Sequence, residues 1–365
     1  SLYIHTIGAG GGSLGYLDDA GGLQVGPKSA GAVPGPAAYG RGGTEPTFTD
    51  AALAIGYLGV DTPLGGELTL DREKSLAALT PIAEKLGISV TELGRGMIRI
   101  SNTKIMGAVR AISIELGHDP KDFSMLSFGG GGGLVAVDAA RELGIPEVIV
   151  PPGQGAFSAL GMLMADVQHD LARTNVQMLS ELDPEEVEAR FAEMEHEAAQ
   201  LLSAEGFDES RRLFHRSVEV RYLGQEHAVA VELPRDAEDP RFVINEEFNE
   251  LHARQYGHVM DDPVEITTLR LVAIGVVDKP ALPKIEARPE GQTFERRVRK
   301  VVLADDVVAD YALVARESLL AGDVLEGPAV VTEHTGTTVF HEGDRLEVGA
   351  YGELIISIHH AQKGA

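Results

Sequence analysis

The clearest pattern of apolar and polar positions lies in the middle of the chain. An apolar run at 123–128 (FSMLSF) ends abruptly in five consecutive glycines, Gly129–Gly133. The next segment, LVAVDAARELG, has the apolar spacing of a helix that ends at Gly144, and a second apolar run, EVIVPP, follows at 147–152. A strand, a glycine loop, a helix and a strand in this order predict a βαβ unit of a parallel sheet.

The segments before this unit are rich in glycine and then helical. LYIHTI at 2–7 predicts a short strand that leads into a first glycine loop, and 23–47 has too much Gly and Pro for regular structure. Helical spacing begins at TDAALAIGYLG, with Thr49 or Asp50 as the predicted cap. Two further helices are predicted over 70–86 and over the long segment VTELGRGMIRISNTKIMGAVRAISIELG, which reaches residue 117.

The chain after the βαβ unit changes character near residue 175. GAFSALGMLMADV predicts one more apolar helix, and Asp183 and Pro184 predict the start of an acidic amphipathic helix that runs to about Glu205. HRSVEVRYLG, EHAVAVELP and VEITTLRLVAIGVV then predict strands, and 290–365 continues as short strands with turn signals.

These patterns predict an α/β fold followed by a strand-rich C-terminal part. We expect an α/β domain over 1–175 that contains helices at about 49–117, an α+β domain over 176–285 and a β-rich domain over 286–365.

Composition and charge exclude several classes of function. The chain has 365 residues, of which 44% are hydrophobic and 24% charged, the balance of a globular protein. A formal charge of −25 and the lack of a long Lys/Arg block argue against nucleic acid and anionic lipid as partners. Cysteine is absent, which excludes disulfides and thiolate metal sites. No apolar run reaches the roughly 18 residues of a membrane span, and no export signal is recognised, so we expect a cytoplasmic protein.

The five-glycine loop carries the main chemical prediction. A loop without side chains lets backbone amides approach a ligand, and the N-terminus of the following helix adds partial positive charge at the same place. The sequence therefore indicates a nucleotide-binding loop formed by Gly129, Gly130, Gly131, Gly132 and Gly133. A tight turn that only packs the helix on the sheet is the alternative. The loop matches neither the Walker pattern nor GxGxxG as normally read.

TIGAGGGS near the N-terminus is a second candidate anion-binding loop. Its candidate ligand-binding residues are Thr6, Gly8, Gly10, Gly11, Gly12 and Ser13. The alternative is a loop that needs glycine only for its backbone conformation.

Three further residues are candidates for catalysis. Arg41 in YGRGG would clamp an anion if its loop folds over the site, Asp50 would hold Mg²⁺ through water, and His5 would act as a ligand or general base. The alternatives are a solvated arginine, a helix cap and a structural histidine. His169 and Asp170 follow a predicted helix and would bind a metal or make surface hydrogen bonds; we predict no metal site among the protein side chains.

Several stretches together resemble the hydantoinase A/5-oxoprolinase family, which includes ATP-dependent N-methylhydantoinase, 5-oxoprolinase and acetone and acetophenone carboxylase subunits. They are YIHTIGAGGGSLGYLDDAGGLQVGPKSAGAVPGPAAYGRGGTEPTFTDA, DPKDFSMLSFGGGGGLVAVDAARELGIPEVIVPPGQGAFSALGMLMADVQHDLART, RYLGQEHAVAVELP and GPAVVTEHTGTTVFHEGD. The resemblance covers nearly the whole chain.

The resemblance implies a fold of the actin/sugar-kinase/Hsp70 type, in which ATP lies between two ribonuclease-H-like lobes. Residues 1–175 would then be an incomplete second lobe, with Gly129–Gly133 on the adenosine side and Thr6–Ser13 facing the cleft. The helices at about 49–117 would be an insertion in this lobe. Family chains begin earlier, with DxGGTxTD-type phosphate loops that this sequence lacks. We therefore expect the first lobe, both phosphate loops and the first strands of this lobe to come from another polypeptide or a removed segment.

The function that the resemblance implies is ATP- and Mg²⁺-dependent hydrolysis of a cyclic amide through a phosphorylated intermediate, on a small molecule of the hydantoin or 5-oxoproline type. A ketone carboxylase subunit and a noncatalytic partner-binding fragment are the alternatives. The expected partners are an N-terminal lobe polypeptide and a hydantoinase B-like subunit in an oligomer, and without the N-terminal region the chain is expected to be inactive.

Overall fold

The structure is a computed structural model that describes residues 4–305 and 307–360. The chain divides into two compact units. The first unit contains residues 1–160 and 281–365, and the second contains 161–280. Among the described residues, none of the helices combines the length and the hydropathy that a membrane span requires.

The described residues form seven α-helices and fifteen β-strands. The α-helices are α1 (Phe48–Ile55), α2 (Arg72–Leu86), α3 (Val90–Ile112), α4 (Ala136–Leu143), α5 (Phe157–Met164), α6 (Pro184–Ala204) and α7 (Pro240–Tyr256). The strands are β1 (Ser13–Leu17), β2 (Leu23–Ser29), β3 (Ser124–Leu126), β4 (Glu147–Val150), β5 (Val167–Met178), β6 (Arg212–Tyr222), β7 (Val229–Glu232), β8 (Val264–Gly275), β9 (Arg297–Ala304), β10 (Val307–Ala315), β11 (Val324–Glu326), β12 (Ala329–Glu333), β13 (Gly336–Phe340), β14 (Arg345–Val348) and β15 (Leu354–Ser357).

The predicted βαβ unit is confirmed in the first unit. β3 and β4 are parallel, with Ser124 opposite Glu147 and Leu126 opposite Ile149, and α4 connects them. They lie at one end of a five-stranded sheet with the order β11-β14-β15-β4-β3. Gly144 ends α4 in the left-handed conformation, as its position after the apolar pattern predicts.

Strands from the middle and from the C-terminal part of the chain belong to this one sheet. β15 pairs antiparallel with β4, so the C-terminal segment adds strands to the βαβ unit. A four-stranded sheet with the order β13-β12-β10-β9 and the hairpin of β1 and β2 complete the strands of the first unit. The predicted α/β fold with a strand-rich C-terminal part is confirmed; the division into three domains stays a prediction.

The helical segment of the first unit forms as predicted, with corrected ends. α1 is capped by Thr47, whose side chain accepts from the Asp50 amide, and not by Thr49 or Asp50 itself. α3 ends at Ile112, and a separate 3₁₀ turn then leads to Gly117 in the left-handed conformation. These helices share a hydrophobic core with β9 and β10.

Two predictions about the N-terminal segment are wrong. Residues 4–7 of the predicted strand 2–7 form no strand and are exposed, while residues 2 and 3 lie outside the described residues. The strand β1 instead follows the glycine loop, and β2 pairs with it inside the region 23–47 that was predicted to be irregular. The pairing provides the backbone hydrogen bonds that outweigh the Gly/Pro composition of β2.

The second unit is a four-stranded antiparallel sheet with the order β5-β8-β6-β7 and the helices α6 and α7. Asp183 caps α6 as predicted. One face of α6 is buried in the core of this unit, through Val187, Phe191, Met194, Ala198 and Leu202. The helix α7 is absent from the sequence prediction.

The histidine and aspartate that were considered as metal ligands belong to this second unit. His169 and Asp170 follow the predicted apolar helix, which ends at Met164, but they lie within β5 and not at the helix end. The Nε2 atom of His169 contacts Glu205 Oε2 at 2.9 Å. Within 4–305 and 307–360, no group of three or more His, Asp or Glu side chains is placed to hold a metal ion.

Candidate functional site

The two glycine loops of the sequence line one cavity in the first unit. Its volume is about 710 Å³. Its lining residues are Ile7, Ala9, Gly10, Gly11, Gly12, Tyr39, Phe48, Thr49, Leu58, Leu64, Gly65, Ser101, Ile105, Phe128, Gly129, Gly130, Gly131, Gly132, Leu134, Val135 and Thr335. We call it the glycine-lined cavity.

The loops approach each other closely. A Cβ atom built on Gly131 would lie 3.8 Å from the amide nitrogen of Gly11, and one built on Gly10 or Gly129 would meet nothing within 4 Å. Side chains at these positions would therefore extend into the cavity or narrow the space between the loops. The lack of side chains is what keeps the backbone accessible.

Backbone amides are available on both loops. The amides of Gly11, Gly12, Gly130 and Gly131 donate to no acceptor within the described part of the chain. Unpaired N–H groups in a concave site are typical of anion binding. The 3₁₀ turn Gly132–Leu134 and the N-terminus of α4 follow directly, so the start of this helix borders the same cavity.

A chain of hydrogen bonds holds the five-glycine loop from behind. The Gly129 amide donates to the Gln154 carbonyl at 2.7 Å, and the Gln154 amide donates to Glu333 Oε1 at 2.8 Å. The other carboxylate oxygen, Oε2, accepts from Arg316 Nη1 at 2.7 Å. Burial lowers the pKa of the Arg316 guanidinium, while the charge of Glu333 opposes this effect. The buried pair therefore fixes the backbone from which the loop departs.

The first glycine loop is held by α1 and by its own serine. The Thr49 amide and hydroxyl both donate to the Gly11 carbonyl, each at 2.9 Å. The Gly10 amide donates to Ser13 Oγ at 2.9 Å. Ser13 is buried at the start of β1, so its hydroxyl shapes the loop.

The walls of the cavity are mostly apolar, with a few hydroxyl groups such as those of Tyr39 and Ser101, and they carry no charge. Phe128 lies beside Phe157, with 5.4 Å between ring centroids, and Ile7, Leu64 and Ile105 line other parts of the wall. None of the lining residues, all within the described ranges, is an acid or a base. The cavity thus offers amide donors and apolar surface but no carboxylate for a cation.

The other predicted site residues lie outside this lining. Those outside it are Thr6, Gly8, Ser13, Gly133, His5, Arg41 and Asp50. A Cβ on Gly133 would lie 2.5 Å from the Thr337 carbonyl oxygen, and one on Gly8 would lie 2.5 Å from Pro27 Cβ, so these glycines allow close packing. His5 and Arg41 are exposed.

Asp50 is fully buried and accepts hydrogen bonds with both oxygens. Oδ2 accepts from the Thr47 amide at 2.9 Å and the Thr47 hydroxyl at 2.7 Å, and from the Ala37 amide at 3.3 Å. Oδ1 accepts from the Ala38 amide and the Ser75 hydroxyl, each at 2.7 Å. This environment favours the capping alternative over a Mg²⁺ ligand.

Several lining residues were missed by the sequence analysis. Thr49 was considered only as a helix cap, and Leu58, Leu64 and Gly65 lie on the connection after α1. Thr335 lies in the turn between β12 and β13. The Thr-Gly-Thr turn in EHTGTT was the available signal, since polar turns beside a site often contribute to it.

Comparison with known proteins shows which proteins this chain is similar to. Residues 1–171 match the hydantoinase/oxoprolinase family and residues 179–354 match the hydantoinase/oxoprolinase C-terminal domain. The caprolactamase subunit alpha of Pseudomonas jessenii is 33% identical over 356 residues, which cover 95% of this chain and 51% of that protein. The acetophenone carboxylase gamma subunit of Aromatoleum aromaticum is 30% identical, covering 96% of this chain and 50% of that protein.

The solved structures include a similar fold. The crystal structure of the ATP-dependent caprolactamase from Pseudomonas jessenii superimposes with a TM-score of 0.83 and 33% identity, covering 98% of this chain and 53% of that chain. The chain therefore spans about half the length of these relatives. On these matches, which extend over both of its units, this chain belongs to the hydantoinase/oxoprolinase family.

Proposed function

We propose that this chain supplies one half of the nucleotide site in an ATP-dependent enzyme that opens a cyclic amide of the hydantoin or 5-oxoproline type. The observation that carries the proposal is the pair of facing glycine loops, whose unpaired amides line one cavity. The other half of the site would come from the polypeptide that corresponds to the rest of the relatives' length, which we call the completing half.

The chemistry of the glycine-lined cavity fits a nucleotide. Amides of Gly11, Gly12, Gly130 and Gly131 would donate to phosphate or ribose oxygens, and the start of α4 favours negative charge. The apolar walls, which include Phe128, would accept the flat face of a base. A cavity of about 710 Å³ lies in the usual range for a cofactor of this size.

Magnesium does not fit the residues that line this cavity. Mg²⁺ takes carboxylate and phosphate oxygens in proteins, and the lining contains no carboxylate. A catalytic clamp for the transferred phosphoryl group is equally missing from the lining. Both would have to come from the completing half, or from a residue such as Arg41 if the complex brings it to the site.

ATP supplies a phosphoryl group that would activate the amide oxygen of the substrate. The part of this chain is to hold and orient the nucleotide through backbone amides, which need no reorganisation during the reaction. The apolar walls would keep water away from the nucleotide until the substrate is in place.

Cyclic amide hydrolysis is the favoured branch because caprolactamase subunit alpha is somewhat more similar than acetophenone carboxylase gamma subunit. A subunit of an ATP-dependent ketone carboxylase is the second candidate, and the similarity to the acetophenone enzyme favours it. A noncatalytic fragment is the third, which the uncharged cavity lining favours. A hydantoinase B-like subunit would be a further partner of either enzyme.

The exposed edge of β3 is where the completing half would attach. β3 is the end strand of its sheet, and Leu126 and Phe128 are 49% and 46% exposed. An open edge with exposed apolar residues is a ready surface for another strand or chain.

The experiment is a titration of ATP into the chain alone and into the chain reconstituted with the completing half and a hydantoinase B-like subunit. We expect nucleotide binding in the complex, and ATP hydrolysis that depends on a cyclic amide such as 5-oxoproline or caprolactam. Hydrolysis that depends on acetone or acetophenone with bicarbonate would select the carboxylase instead. A complex that assembles but binds no ATP would overturn both enzymatic candidates.

A further inference from the structure

A second cavity, of about 510 Å³, lies on another face of α3 and α4. We call it the arginine cavity. Its charged lining comes from three arginines, Arg95, Arg99 and Arg141, and two acids, Asp138 and Glu142, and Asn102 lies among them. Its apolar lining includes Ile98, Met106 and Val302. The α3 residues lie three or four positions apart, so they form one face of the helix. The proposed nucleotide site uses none of these residues.

Two of the arginines have donors available. Arg141 is occupied, because Nη1 donates to the His359 carbonyl and Nη2 to Asp344 Oδ2, each at 2.6 Å. Arg95 donates through Nη2 to Asp305 at 3.2 Å, but its Nη1 is buried without a partner in the described chain. Arg99 is exposed and has no carboxylate within 4 Å among the described residues. In a protein with a net charge of −25, two neighbouring arginines with available donors are a local concentration of positive charge.

A buried polar group without a partner lies at the other end of the arginine cavity. Asn102 is 8% exposed, and its Oδ1 has no hydrogen-bond donor in the described chain. Its Nδ2 donates to Asp138 Oδ2 at 3.4 Å. Because a carboxylate accepts and does not donate, Nδ2 must face Asp138, and Oδ1 is the atom without a partner. A buried acceptor without a donor is costly, and a ligand N–H would relieve that cost.

A hydrogen-bond chain keeps Asp138 in place and ionised. Tyr311 Oη and His341 Nδ1 share a hydrogen bond of 2.9 Å, and His341 Nε2 donates to Asp138 Oδ1 at 2.9 Å. Burial would raise the pKa of Asp138, but the hydrogen bond and charge of His341 and the charge of Arg141 hold it below its usual range. The Asp138 carboxylate and Asn102 Oδ1 therefore lie in the same cavity as acceptors for a cationic or N–H group.

We propose that the arginine cavity binds a small zwitterion, with its carboxylate at Arg95 and Arg99 and its ammonium at Asn102 Oδ1 and Asp138. Arg99 and Asn102 are three residues apart, about 4.5 Å along the helix axis, and both side chains extend beyond the backbone. A ligand with a short methylene chain between its charged ends would fill this span. The apolar residues Ile98, Met106 and Val302 would line the methylene groups.

An amino acid with separated ends is also what hydrolysis of a lactam such as 5-oxoproline or caprolactam produces, whereas a hydantoin ring opens to a ureido acid without an ammonium. Water breaks the C–N bond of the ring, the acyl carbon keeps the hydroxyl as a carboxylate, and the nitrogen takes the proton as an ammonium. The arginine cavity would then be a product-binding site distinct from the nucleotide site. This last identification rests on the proposed function, whereas the binding of a zwitterion does not.

The test is calorimetric titration of the whole chain with γ-aminobutyrate and ε-aminocaproate. We expect saturable binding of at least one of them. Butyrate and caproate, which lack the ammonium, and butylamine, which lacks the carboxylate, should bind more weakly by about tenfold or more. Equal binding of the simple carboxylates would overturn the subsite at Asn102, and no binding of either zwitterion would overturn the proposal.

Variants of α3 assign the binding to this cavity. Arg99→Met at an exposed position and Asn102→Leu should each weaken the zwitterion by about tenfold or more, while Arg110→Met, an exposed arginine of the same helix outside both cavities, should not. If Asn102→Leu does not fold, Arg99→Met decides alone. Unchanged affinity in Arg99→Met would overturn the proposal. If the reconstituted complex opens no cyclic amide but the chain still binds the zwitterion, the proposed function is overturned and the zwitterion site is not.

Discussion

Gly131 and Gly11 face each other across the glycine-lined cavity, so that a methyl group on Gly131 would lie 3.8 Å from the Gly11 amide nitrogen. The two positions are 120 residues apart in the sequence, since 131 − 11 = 120. Each belongs to a loop held by contacts of its own, one through Gln154 and the other through Thr49. The cavity between them is therefore preorganised in the first unit.

Gly131→Ala tests this arrangement directly. Gly131 has φ −106° and ψ −8°, which alanine adopts without strain, so the variant should fold normally. Its methyl group would stand between the unpaired amides, and we expect the affinity of the reconstituted complex for ATP to fall about tenfold, or by about 1.4 kcal/mol. Calorimetric titration measures the effect.

Gly107→Ala is the matched control for that variant. Gly107 lies in α3, a Cβ there would meet nothing within 4 Å, and the residue lines neither cavity. It should leave ATP affinity unchanged and stabilise the chain by up to about 1 kcal/mol through helix propensity. Equal ATP affinities in the two variants would show that the nucleotide does not pass between the glycine loops.

Asp50→Asn separates a structural from a catalytic role for this carboxylate. All the partners of Asp50 are donors, so an amide NH₂ in place of one oxygen would face an N–H or O–H group in a buried site. We expect the free energy of unfolding to fall by about 3 kcal/mol, as measured by urea denaturation.

Asp71→Asn provides the comparison for Asp50→Asn. Asp71 caps α2 through the Lys74 amide, and asparagine caps a helix about as well as aspartate. Its unfolding free energy should change by a few tenths of a kcal/mol. An Asp50→Asn chain that keeps its full stability while the reconstituted enzyme loses activity would instead restore Asp50 as a catalytic candidate.

Local patterns were enough to predict the parts of the site that lie next to each other in sequence. The run from 123 to 152 contains its own strand, loop, helix and strand signals, and the structure places them as a parallel unit. The glycine loop near the N-terminus was recognised for the same reason, although its strand was predicted on the wrong side. The β1–β2 pairing that moves the strand depends on a partner, which composition alone does not reveal.

Residues that depend on distant contacts were not predictable. Thr335 lines the glycine-lined cavity only because β12 and β13 carry their turn to it. The helix α7 was missed because its buried positions, Ile244, Phe248 and His252, form a narrow stripe among polar residues. In the arginine cavity, Asp138 is held by His341, which lies 203 residues later in the sequence, since 341 − 138 = 203.

Asp323 makes the stability of the first unit depend on pH. Arg288 donates to both carboxylate oxygens at 2.7 Å, and the Leu320 amide donates to Oδ2 at 2.7 Å. The hydrogen bond from Arg288 is the largest cause that lowers the pKa of Asp323. A lowered folded-state pKa stabilises the fold above the ordinary value of about 3.9, and this stabilisation is lost as the pH falls through the folded-state pKa.

Asp323→Asn should therefore cost about 2 kcal/mol of unfolding free energy at neutral pH. The difference from the unsubstituted chain should begin to shrink below about pH 4, where this carboxylate takes up a proton in the unfolded chain. It should be lost as the pH falls through the lowered folded-state pKa of Asp323. Urea denaturation across the acid range measures it, with Asp19→Asn at an exposed carboxylate as control. A difference that stays constant down to pH 2 would mean that the ion pair contributes nothing to the pH dependence.

Leu126→Lys tests the proposed surface for the completing half. Leu126 is 49% exposed on β3, the end strand of its sheet, so the substitution should change the unfolding free energy of this chain by no more than about 0.5 kcal/mol. A charge at an apolar strand edge opposes pairing with another strand. We expect the dissociation constant for the completing half to rise about tenfold or more, measured by calorimetry or sedimentation.

Val298→Lys distinguishes this edge from exposed apolar surface in general. Val298 is 65% exposed on β9, which ends the four-stranded sheet of the same unit. If the completing half pairs at β3, it covers the β3 edge and leaves the β9 edge exposed. Leu126→Lys should then weaken association, and Val298→Lys should leave it unchanged. The reverse result would show that the completing half attaches at β9, and it would contradict the proposed attachment at β3.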